Sequence, residues 1–284
     1  MEGPLSGKTV LVTGATSGIG FEAGVKLARM GAEVVLVGRD RARGAVALAA
    51  VKKRSGSDAV SLMLCDFAFQ KQVRALAADV VATHPRLHIL VNNAGGGNVR
   101  REVTEDGIER TFAVNHLAPF LLTNLLLDLL KHSAPARVVT VASIEHCAGD
   151  MPFDDLQFEK GGYRITRAYA RSKLANVLFT SELARRLAGT GVTSNCLHPG
   201  AVATNIWSSA PWYIQPLLPV AKLFMISAEQ GADTIVHLAA SPEVEGLTGG
   251  YYEKNRMILP SRLAQDDAIA KSLWEQSAAL VGER

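Results

Sequence analysis

The chain is poor in the residues that build disulfide frameworks and zinc sites. It has 3 cysteines in 284 residues. Cys65, Cys147 and Cys196 are widely spaced and form no C-x-x-C pair, whereas such sites need paired or clustered cysteines. We therefore expect a reducing compartment such as the cytoplasm, no metal ion, and a packing role for Cys147.

The sequence also lacks a strong charge of either sign and a long apolar run. Its 30 Lys and Arg residues oppose 27 Asp and Glu residues, so the formal net charge of +3 is too small an excess for a nucleic-acid-binding protein. The first residues, MEGPLSGKTV, resemble neither a signal peptide nor an apolar span of about 18 residues. We expect no nucleic-acid partner and no stable membrane anchor.

What the sequence does have is enough apolar residues, 48%, for one large core. Short β-branched runs alternate with longer helical windows. The runs are TVLVTG (9–14), EVVLVG (33–38), AVSLMLCD (59–66), HILVNNAG (88–95), RVVTVAS (137–143) and VTSNCLHPG (192–200). The windows include Gly20 to Met30, Gln70 to Thr83, Gly107 to Lys131 and Thr166 to Leu187. Nearly continuous apolar runs are typical of strands buried on both faces, so the order predicts one α/β domain over residues 1–284, a doubly wound parallel sheet of the Rossmann type with helices on both faces.

The first run ends in a glycine-rich turn, TGATSGIG, and a helical pattern begins directly after it. Glycines at such a turn let backbone N–H groups approach a pyrophosphate, whose charge is favoured at a helix N-terminus. The spacing G-x-x-x-G-x-G differs from the usual G-x-G-x-x-G. We interpret the turn as a dinucleotide site, with a glycine-rich turn that binds no ligand as the alternative.

The second run ends in Gly38-Arg39-Asp40, where an open sheet of this type holds the adenosine ribose. The guanidinium of Arg39 suits the 2′-phosphate of NADP, which favours NADP(H) over NAD(H). Asp40 has two interpretations that the sequence leaves open. It either binds a ribose hydroxyl or caps the next helix.

A candidate acid–base group lies in the window YARSKLANVLF, where Tyr169 and Lys173 are four residues apart and share a helix face. A phenol has an ordinary pKa of about 10, and a nearby ammonium favours its anion. Ser143 ends the run RVVTVAS, at the sheet edge where such folds bind ligands, and its hydroxyl could hold a substrate oxygen.

Taken together, these segments resemble the short-chain dehydrogenase/reductases over nearly the whole chain. TGATSGIG is similar to the family's cofactor turn and NNAG (92–95) to its motif after the fourth strand. The resemblance implies a catalytic set of Asn115, Ser143, Tyr169 and Lys173. In that family the tyrosine is the general acid/base, the serine orients the substrate oxygen, the lysine binds the nicotinamide ribose and lowers the tyrosine pKa, and the asparagine links the lysine to solvent.

The resemblance also implies the residues that bind the cofactor. They are Gly14, Thr16, Ser17, Gly18, Ile19, Gly20, Arg39, Asp66, Phe67, Asn93, Ala94, Gly95, Tyr169, Lys173, Pro199, Gly200, Val202 and Thr204. The implied reaction is hydride transfer between NADP(H) and a carbonyl carbon. NAD-linked alcohol oxidation on the same residues is the alternative within enzymes, and a non-catalytic NADP(H) sensor is the alternative outside them.

LVGRDRARG, VASIEHCAG, CLHPGAVATNI and TGGYYEKN resemble the retinol-dehydrogenase-like branch. Members of that branch often carry an N-terminal membrane segment, which we do not find here. This argues against a retinoid role, and another apolar aldehyde, ketone or alcohol fits the expected substrate at least as well. The resemblance places a substrate flap at about residues 205–226, whose Trp207, Trp212, Tyr213 and Phe224 form an apolar binding wall, cover the core or contact a second subunit.

The sequence does not decide the roles of one histidine and one apolar stretch. His146, three residues after Ser143, either lines the substrate cavity or makes a plain polar contact. The stretch AVNHLAPFLLTNLLLDLL is apolar on more than one face, which suggests burial and subunit packing in a homodimer.

Overall fold

The fold is seen in a computed structural model, which describes residues 3–201 and 226–283. Within these ranges the strands are β1 (Thr9–Thr13), β2 (Glu33–Gly38), β3 (Val60–Leu64), β4 (Ile89–Asn92), β5 (Ala136–Val141), β6 (Val192–His198), β7 (Tyr251–Glu253) and β8 (Arg256–Ile258). They form one sheet in the order β3-β2-β1-β4-β5-β6-β7-β8. All neighbours pair in parallel except β7 and β8. The predicted α/β class with a dominantly parallel sheet is confirmed.

Helices follow most strands. They are α1 (Gly18–Arg29), α2 (Arg41–Ser55), α3 (Gln70–Thr83), α4 (Arg110–Phe112), α5 (Ala118–Leu125), α6 (Leu127–His132), α7 (Ile165–Arg186), α8 (Ala228–Gly231), α9 (Asp233–Ala240) and α10 (Asp267–Val281). In the parts of the chain that the structure describes, none of these helices has the length and apolarity that crossing a bilayer requires.

Two hydrophobic cores lie on opposite faces of the sheet. Successive residues of β1 alternate between them, since Val10 and Val12 join one core and Leu11 joins the other. The first core is covered by α1 and α9, and the second by α3, α5, α7 and α10. Strands buried on both faces explain why most of the predicted runs are continuously apolar.

The sequence analysis missed β7 and β8. Each is only three residues long, and the turn between them consists of Lys254 and Asn255, both with positive φ (49° and 64°). The usual sequence signal for a two-residue hairpin turn is Asn-Gly or Asp-Gly, and neither occurs at this turn. The run at 59–66 also differs from the expectation, because β3 lies at the sheet edge and Leu64 is partly exposed.

The window predicted as helical over Gly107 to Lys131 is interrupted. A π-helical turn, Ala113–Leu117, joins α4 to α5, and Leu126, with φ −98° and ψ 0°, separates α5 from α6. Most apolar residues of the window are buried nonetheless, so hydrophobic periodicity predicted the position of this helical region correctly but not its interruptions.

Candidate active site

The glycine turn between β1 and α1 depends on the absence of side chains. Gly14 and Gly18 have positive φ (63° and 60°). A Cβ on Gly20 would lie 2.3 Å from Asn93 Nδ2 and 2.6 Å from the carbonyl oxygen of Gly14. Ser17 precedes α1 without a side-chain capping hydrogen bond, and the first turn of that helix has no acidic residue. These features fit an anion such as a pyrophosphate at the helix N-terminus.

A single hydroxyl fastens this turn to the segment after β4. Thr13 Oγ1 donates to the Val91 carbonyl (3.2 Å) and accepts from the backbone N–H groups of Asn93 (2.9 Å) and Ala94 (3.0 Å). The Asn93 amide returns two hydrogen bonds, to the carbonyls of Thr13 (2.8 Å) and Gly14 (3.2 Å). Asn93 and Ala94 therefore shape the predicted cofactor turn from outside it. Thr13 was not among the predicted site residues.

The structure gives Asp40 a capping role. Its carboxylate accepts from the Arg43 N–H at 2.8 Å and begins α2, and this hydrogen bond is the largest influence that lowers its pKa. Arg39 is exposed, and among the described residues it makes no ion pair. A Cβ on Gly38 would come within 2.2 Å of Thr16 Cγ2, so the end of β2 lies against the glycine turn.

The remaining predicted cofactor residues lie at the carboxyl ends of other strands. Asp66 follows β3 and accepts from the Ala68 N–H at 3.0 Å, while Phe67 is buried in the core. Pro199 and Gly200 follow β6, and Gly200 has a φ of 92°. Val202, Thr204 and the predicted flap at 205–226, except its last residue, lie outside the described residues.

Asn115 is at the centre of the π-helical turn and is fully buried. Its side chain bonds both backbone groups of Gly96, accepting from the N–H and donating to the carbonyl, each at 2.8 Å. It also donates to Ser172 Oγ at 2.9 Å, which in turn donates to the Tyr169 carbonyl at 2.8 Å. π-helical turns are frequent at functional sites. Here the turn ties the loop after β4 to α7.

α7 brings Tyr169 and Lys173 to the end of β5. Lys173 is buried, its Nζ donates to the Val141 carbonyl at 2.9 Å, and it lies 5.5 Å from the centre of the Tyr169 ring. A Cβ on Gly95 would lie 3.1 Å from Asn115 Oδ1 and 3.5 Å from Lys173 Nζ, so only glycine fits there comfortably. The predicted catalytic residues and the NNAG segment therefore meet in one place.

Ser143 ends the β5 segment and caps a 3-10 turn, Ile144–Ala148. Its Oγ accepts from the Glu145 N–H at 3.2 Å. With the oxygen occupied as an acceptor, the hydroxyl proton is available for donation.

Burial dominates the protonation of the site. It raises the pKa of Tyr169 to about 12, while the neighbouring Ser143 hydroxyl lowers this pKa and the Glu145 carboxylate raises it. Burial lowers the pKa of Lys173 to about 8. The expected lowering of the tyrosine pKa by the ammonium is not seen: desolvation is the largest influence on the phenol, and Lys173, which is directed at the Val141 carbonyl, is not among the groups that lower its pKa.

Two loops flank the site, the first after β4 and the second between β5 and α7, and hydrogen bonds join them. Tyr163 Oη donates to the Asn98 carbonyl at 2.7 Å, and Arg101 Nε donates to the Gln157 carbonyl at 2.8 Å. Arg171, which is 1% exposed, fixes the second loop through its guanidinium. Its partners are Asp150 Oδ1 and the carbonyls of Asp155 and Leu156.

His146 is buried, with both ring nitrogens bonded. Nδ1 is 2.8 Å from the Ser143 carbonyl and Nε2 is 3.0 Å from the Ser261 backbone nitrogen. Among the described residues, the structure therefore favours a polar contact within the protein over a place in the substrate cavity. This residue, Thr13 and Ser172 complete the site. Each has a partner too far along the chain for a local motif to reveal it, namely Ser261, Asn93 and Asn115.

Known proteins of similar sequence agree with this geometry. The family model described as "short chain dehydrogenase" matches residues 8–212. Human retinol dehydrogenase 14 is 44% identical over 99% of this chain and 88% of its own length. The orangutan (Pongo abelii) WW domain-containing oxidoreductase is 42% identical over 98% of this chain and 69% of its own.

Solved structures show the same fold. A Mycobacterium paratuberculosis protein superposes with a TM-score of 0.80 at 31% identity, over 99% of this chain and 95% of its own. A short-chain dehydrogenase/reductase from Burkholderia xenovorans gives 0.71 at 27% identity, over 88% and 95%. The chain thus belongs to the short-chain dehydrogenase family, in its retinol-dehydrogenase-like branch, and is an NAD(P)-dependent oxidoreductase acting on alcohol and carbonyl groups.

Proposed function

We propose that the protein is an NADP(H)-dependent oxidoreductase for apolar aldehydes, ketones or alcohols, with Tyr169 as the general acid and base. One observation carries the proposal most directly. The half-buried Tyr169 side chain has its phenol beside the Ser143 hydroxyl, one helical turn from the buried Lys173. Buried titratable groups with shifted pKa values cluster at functional sites.

The residues present fit a bound dinucleotide. The turn at Gly14, Gly18 and Gly20 offers helix N-terminal amides to the pyrophosphate, and a Cβ at Gly20 would collide with this cradle. Arg39 would pair with the 2′-phosphate, and Asp40 does not compete because it caps α2. When bound, NADPH supplies the hydride in reduction and NADP⁺ accepts it in oxidation.

Two side chains of the protein bind the substrate oxygen and exchange a proton with it. Ser143 donates a hydrogen bond to it, and Tyr169 Oη delivers a proton during reduction or removes one during oxidation. A pKa of about 12 keeps the phenol protonated at neutral pH, which suits reduction. Oxidation needs the phenolate, which the Ser143 hydrogen bond favours.

An apolar substrate is supported by the surroundings of the phenol and by the relatives. Ile144, next to Ser143, is 47% exposed. A Cβ on Gly97 would contact Ile165 and come within 4.0 Å of the Tyr169 ring. The human and mouse relatives include proteins named retinol dehydrogenase, whose named substrate is an apolar alcohol. The cytoplasmic location, the homodimer and the flap stay predictions.

The test is turnover of a panel of apolar aldehydes, ketones and alcohols by the purified protein with each cofactor. We expect reduction of at least one aldehyde or ketone, with a higher kcat/KM for NADPH than for NADH. Tighter binding of NADPH without turnover of any substrate would favour the non-catalytic sensor instead. A higher kcat/KM with NADH would contradict the role of Arg39.

A further inference from the structure

We propose that His146 is a positioning residue for Ser143: a neutral imidazole that ties the Ser143 carbonyl to the backbone of Ser261, so that the C-terminal segment sets the orientation of the catalytic hydroxyl. The inference rests on the proposed function, in which Ser143 binds the substrate oxygen. It adds a residue outside the predicted catalytic set and a link between parts of the chain 115 residues apart.

The hydrogen bonds determine which nitrogen carries the proton. The backbone nitrogen of Ser261 can only donate, so Nε2 of His146, 3.0 Å away, is the acceptor and carries no hydrogen. The Ser143 carbonyl can only accept, so Nδ1, 2.8 Å away, is the donor. Only the neutral tautomer with the proton on Nδ1 satisfies both contacts. Burial, which lowers the pKa of His146, stabilises that neutral form.

The link reaches the hydroxyl through the backbone. The Ser143 carbonyl accepts two hydrogen bonds from His146, one from Nδ1 and one from the backbone N–H at 3.2 Å. These bonds fix the peptide after Ser143 and thereby the Glu145 N–H, which donates to Ser143 Oγ. The oxygen is thus held as an acceptor from the protein, with its proton available to the substrate.

The far end of the link is also well packed. The His146 ring lies edge-on to the Tyr251 ring of β7, with centroids 4.8 Å apart. Ser261 begins the 3-10 turn Arg262–Gln265, which precedes α10. His198, whose pKa is lowered mainly by burial, ends β6, the strand next to β7. The C-terminal strands and turn, distant in sequence, therefore form the rear support of the catalytic serine.

Ser261→Pro is the sharpest test because it removes the backbone N–H that donates to Nε2. Ser261 has a φ of −56°, which the proline ring accommodates. Ser261→Ala is the matched reference, since it keeps the N–H and removes only a hydroxyl that has no hydrogen-bond partner among the described residues. Relative to Ser261→Ala, we expect Ser261→Pro to lower kcat about tenfold or more, with NADPH affinity within about twofold. A kcat within twofold of the reference, in a folded protein, would overturn the proposal.

A pH profile separates positioning from general destabilisation. Because the Ser143 hydroxyl lowers the pKa of Tyr169, its misorientation should raise the apparent pKa that governs alcohol oxidation. The charged groups near the phenol, Lys173 and Glu145, are unchanged in both variants. We expect that pKa to be higher in Ser261→Pro than in Ser261→Ala. Equal values in the two variants would contradict the link.

Side-chain variants provide the same test if Ser261→Pro does not fold. His146→Asn can keep a donor near the Nδ1 position but loses the acceptor, so it should reproduce the tenfold loss. His146→Phe keeps the ring packing on Tyr251 and loses both bonds, so it should lose at least as much. Full kcat in a folded His146→Phe would exclude a positioning role.

Nitrogen NMR of the imidazole tests the link without any turnover. In ¹⁵N-histidine-labelled protein, the signals missing from His146→Phe identify the residue. We expect a protonated Nδ1 and an unprotonated Nε2 at neutral pH, with the Nε2 signal shifted in Ser261→Pro. An Nε2-protonated ring would overturn the proposal. If the wild type reduces no carbonyl, the proposed function fails while the tautomer still decides the link.

Discussion

The cofactor end and the catalytic end of the sheet are built by different means. At the proposed cofactor end, around the turn after β1, the absence of side chains is decisive: a Cβ on Gly14 or Gly20 would collide with neighbouring atoms, and Gly18 has a positive φ of 60°. Around α7, the proposed catalytic end is built from buried polar side chains such as Asn115 and Lys173. We therefore expect substitutions at the first end to act through steric collision, and substitutions at the second end to act through the loss of buried charges and hydrogen bonds.

The largest expected effect is at the catalytic end. Tyr169→Phe keeps the ring but removes the transferable proton, so kcat should fall by about 10² or more while NADPH binding stays nearly intact. Steady-state kinetics and fluorescence titration of NADPH measure the two quantities. Retention of more than about a tenth of kcat would remove Tyr169 from its role.

The corresponding change at the cofactor end is Gly20→Ala. The added Cβ would lie 2.3 Å from Asn93 Nδ2 and 2.6 Å from a backbone carbonyl, so we expect cofactor affinity to fall about tenfold or more and the thermal midpoint to drop. Gly24→Ala is the control in the same helix, because its Cβ meets only the end of the flexible Leu36 side chain at 2.9 Å. Equal effects of the two variants would argue against the steric explanation.

Lys173→Met should separate stability from activity. Burial lowers the Lys173 pKa from 10.5 to about 8, so below pH 8 the folded state bears the full cost of a buried ammonium. We expect the variant to be inactive yet more stable by about 1–3 kcal/mol at pH 7. The gain should shrink as pH rises from 8 towards 10.5, because the folded wild type then loses its proton. Urea unfolding at pH 7 and 9.5 measures this, and a destabilised variant at pH 7 contradicts it.

Arg39→Asp should change cofactor preference rather than catalysis. It removes a cation and places a carboxylate beside the expected 2′-phosphate, so the ratio of kcat/KM for NADPH to that for NADH should fall about tenfold or more. Arg41→Asp makes the same charge change at an exposed neighbouring position. If both variants change the NADPH-to-NADH ratio of kcat/KM equally, the preference comes from the overall charge of this region and not from a direct contact of Arg39 with the 2′-phosphate.

The smallest effect is expected at Asp40. Since its carboxylate caps α2, Asp40→Ala should lower the free energy of unfolding modestly, through the loss of the N-cap hydrogen bond. Asp40→Asn retains an acceptor and should lose less. The preference between cofactors should not move in either variant, whereas a selective loss of NADH activity would restore the ribose interpretation.

Local patterns predicted what depends on neighbours in sequence. The glycine spacing predicted the tight turn between β1 and α1, and the four-residue separation of Tyr169 and Lys173 predicted that both lie on one helix, α7. Their roles in cofactor binding and catalysis stay predictions. Apolar runs located six strands, because most of these parallel strands are buried on both faces and therefore continuously apolar; β3, at the sheet edge, is the exception. Asp40 remained ambiguous, since capping and ribose binding use the same carboxylate.

Contacts between distant segments could not be predicted in this way. The Thr13 hydroxyl meets Asn93 across 80 residues, and His146 meets Ser261 across 115. The raised pKa of Tyr169 likewise depends on how deeply the tertiary structure buries the phenol. Short strands such as β7 carry too few residues for a periodic signal.

The Thr13 hydroxyl has a consequence for recombining this enzyme with its relatives. It makes hydrogen bonds to three backbone groups, and the Asn93 side-chain amide donates to the Thr13 carbonyl. Strand β1 and the segment after β4 therefore depend on each other's residues. A crossover point placed between these two segments would separate the partners into different parental sequences. Productive chimeras should therefore inherit Thr13 and Asn93 from one parent or from two parents that share both residues.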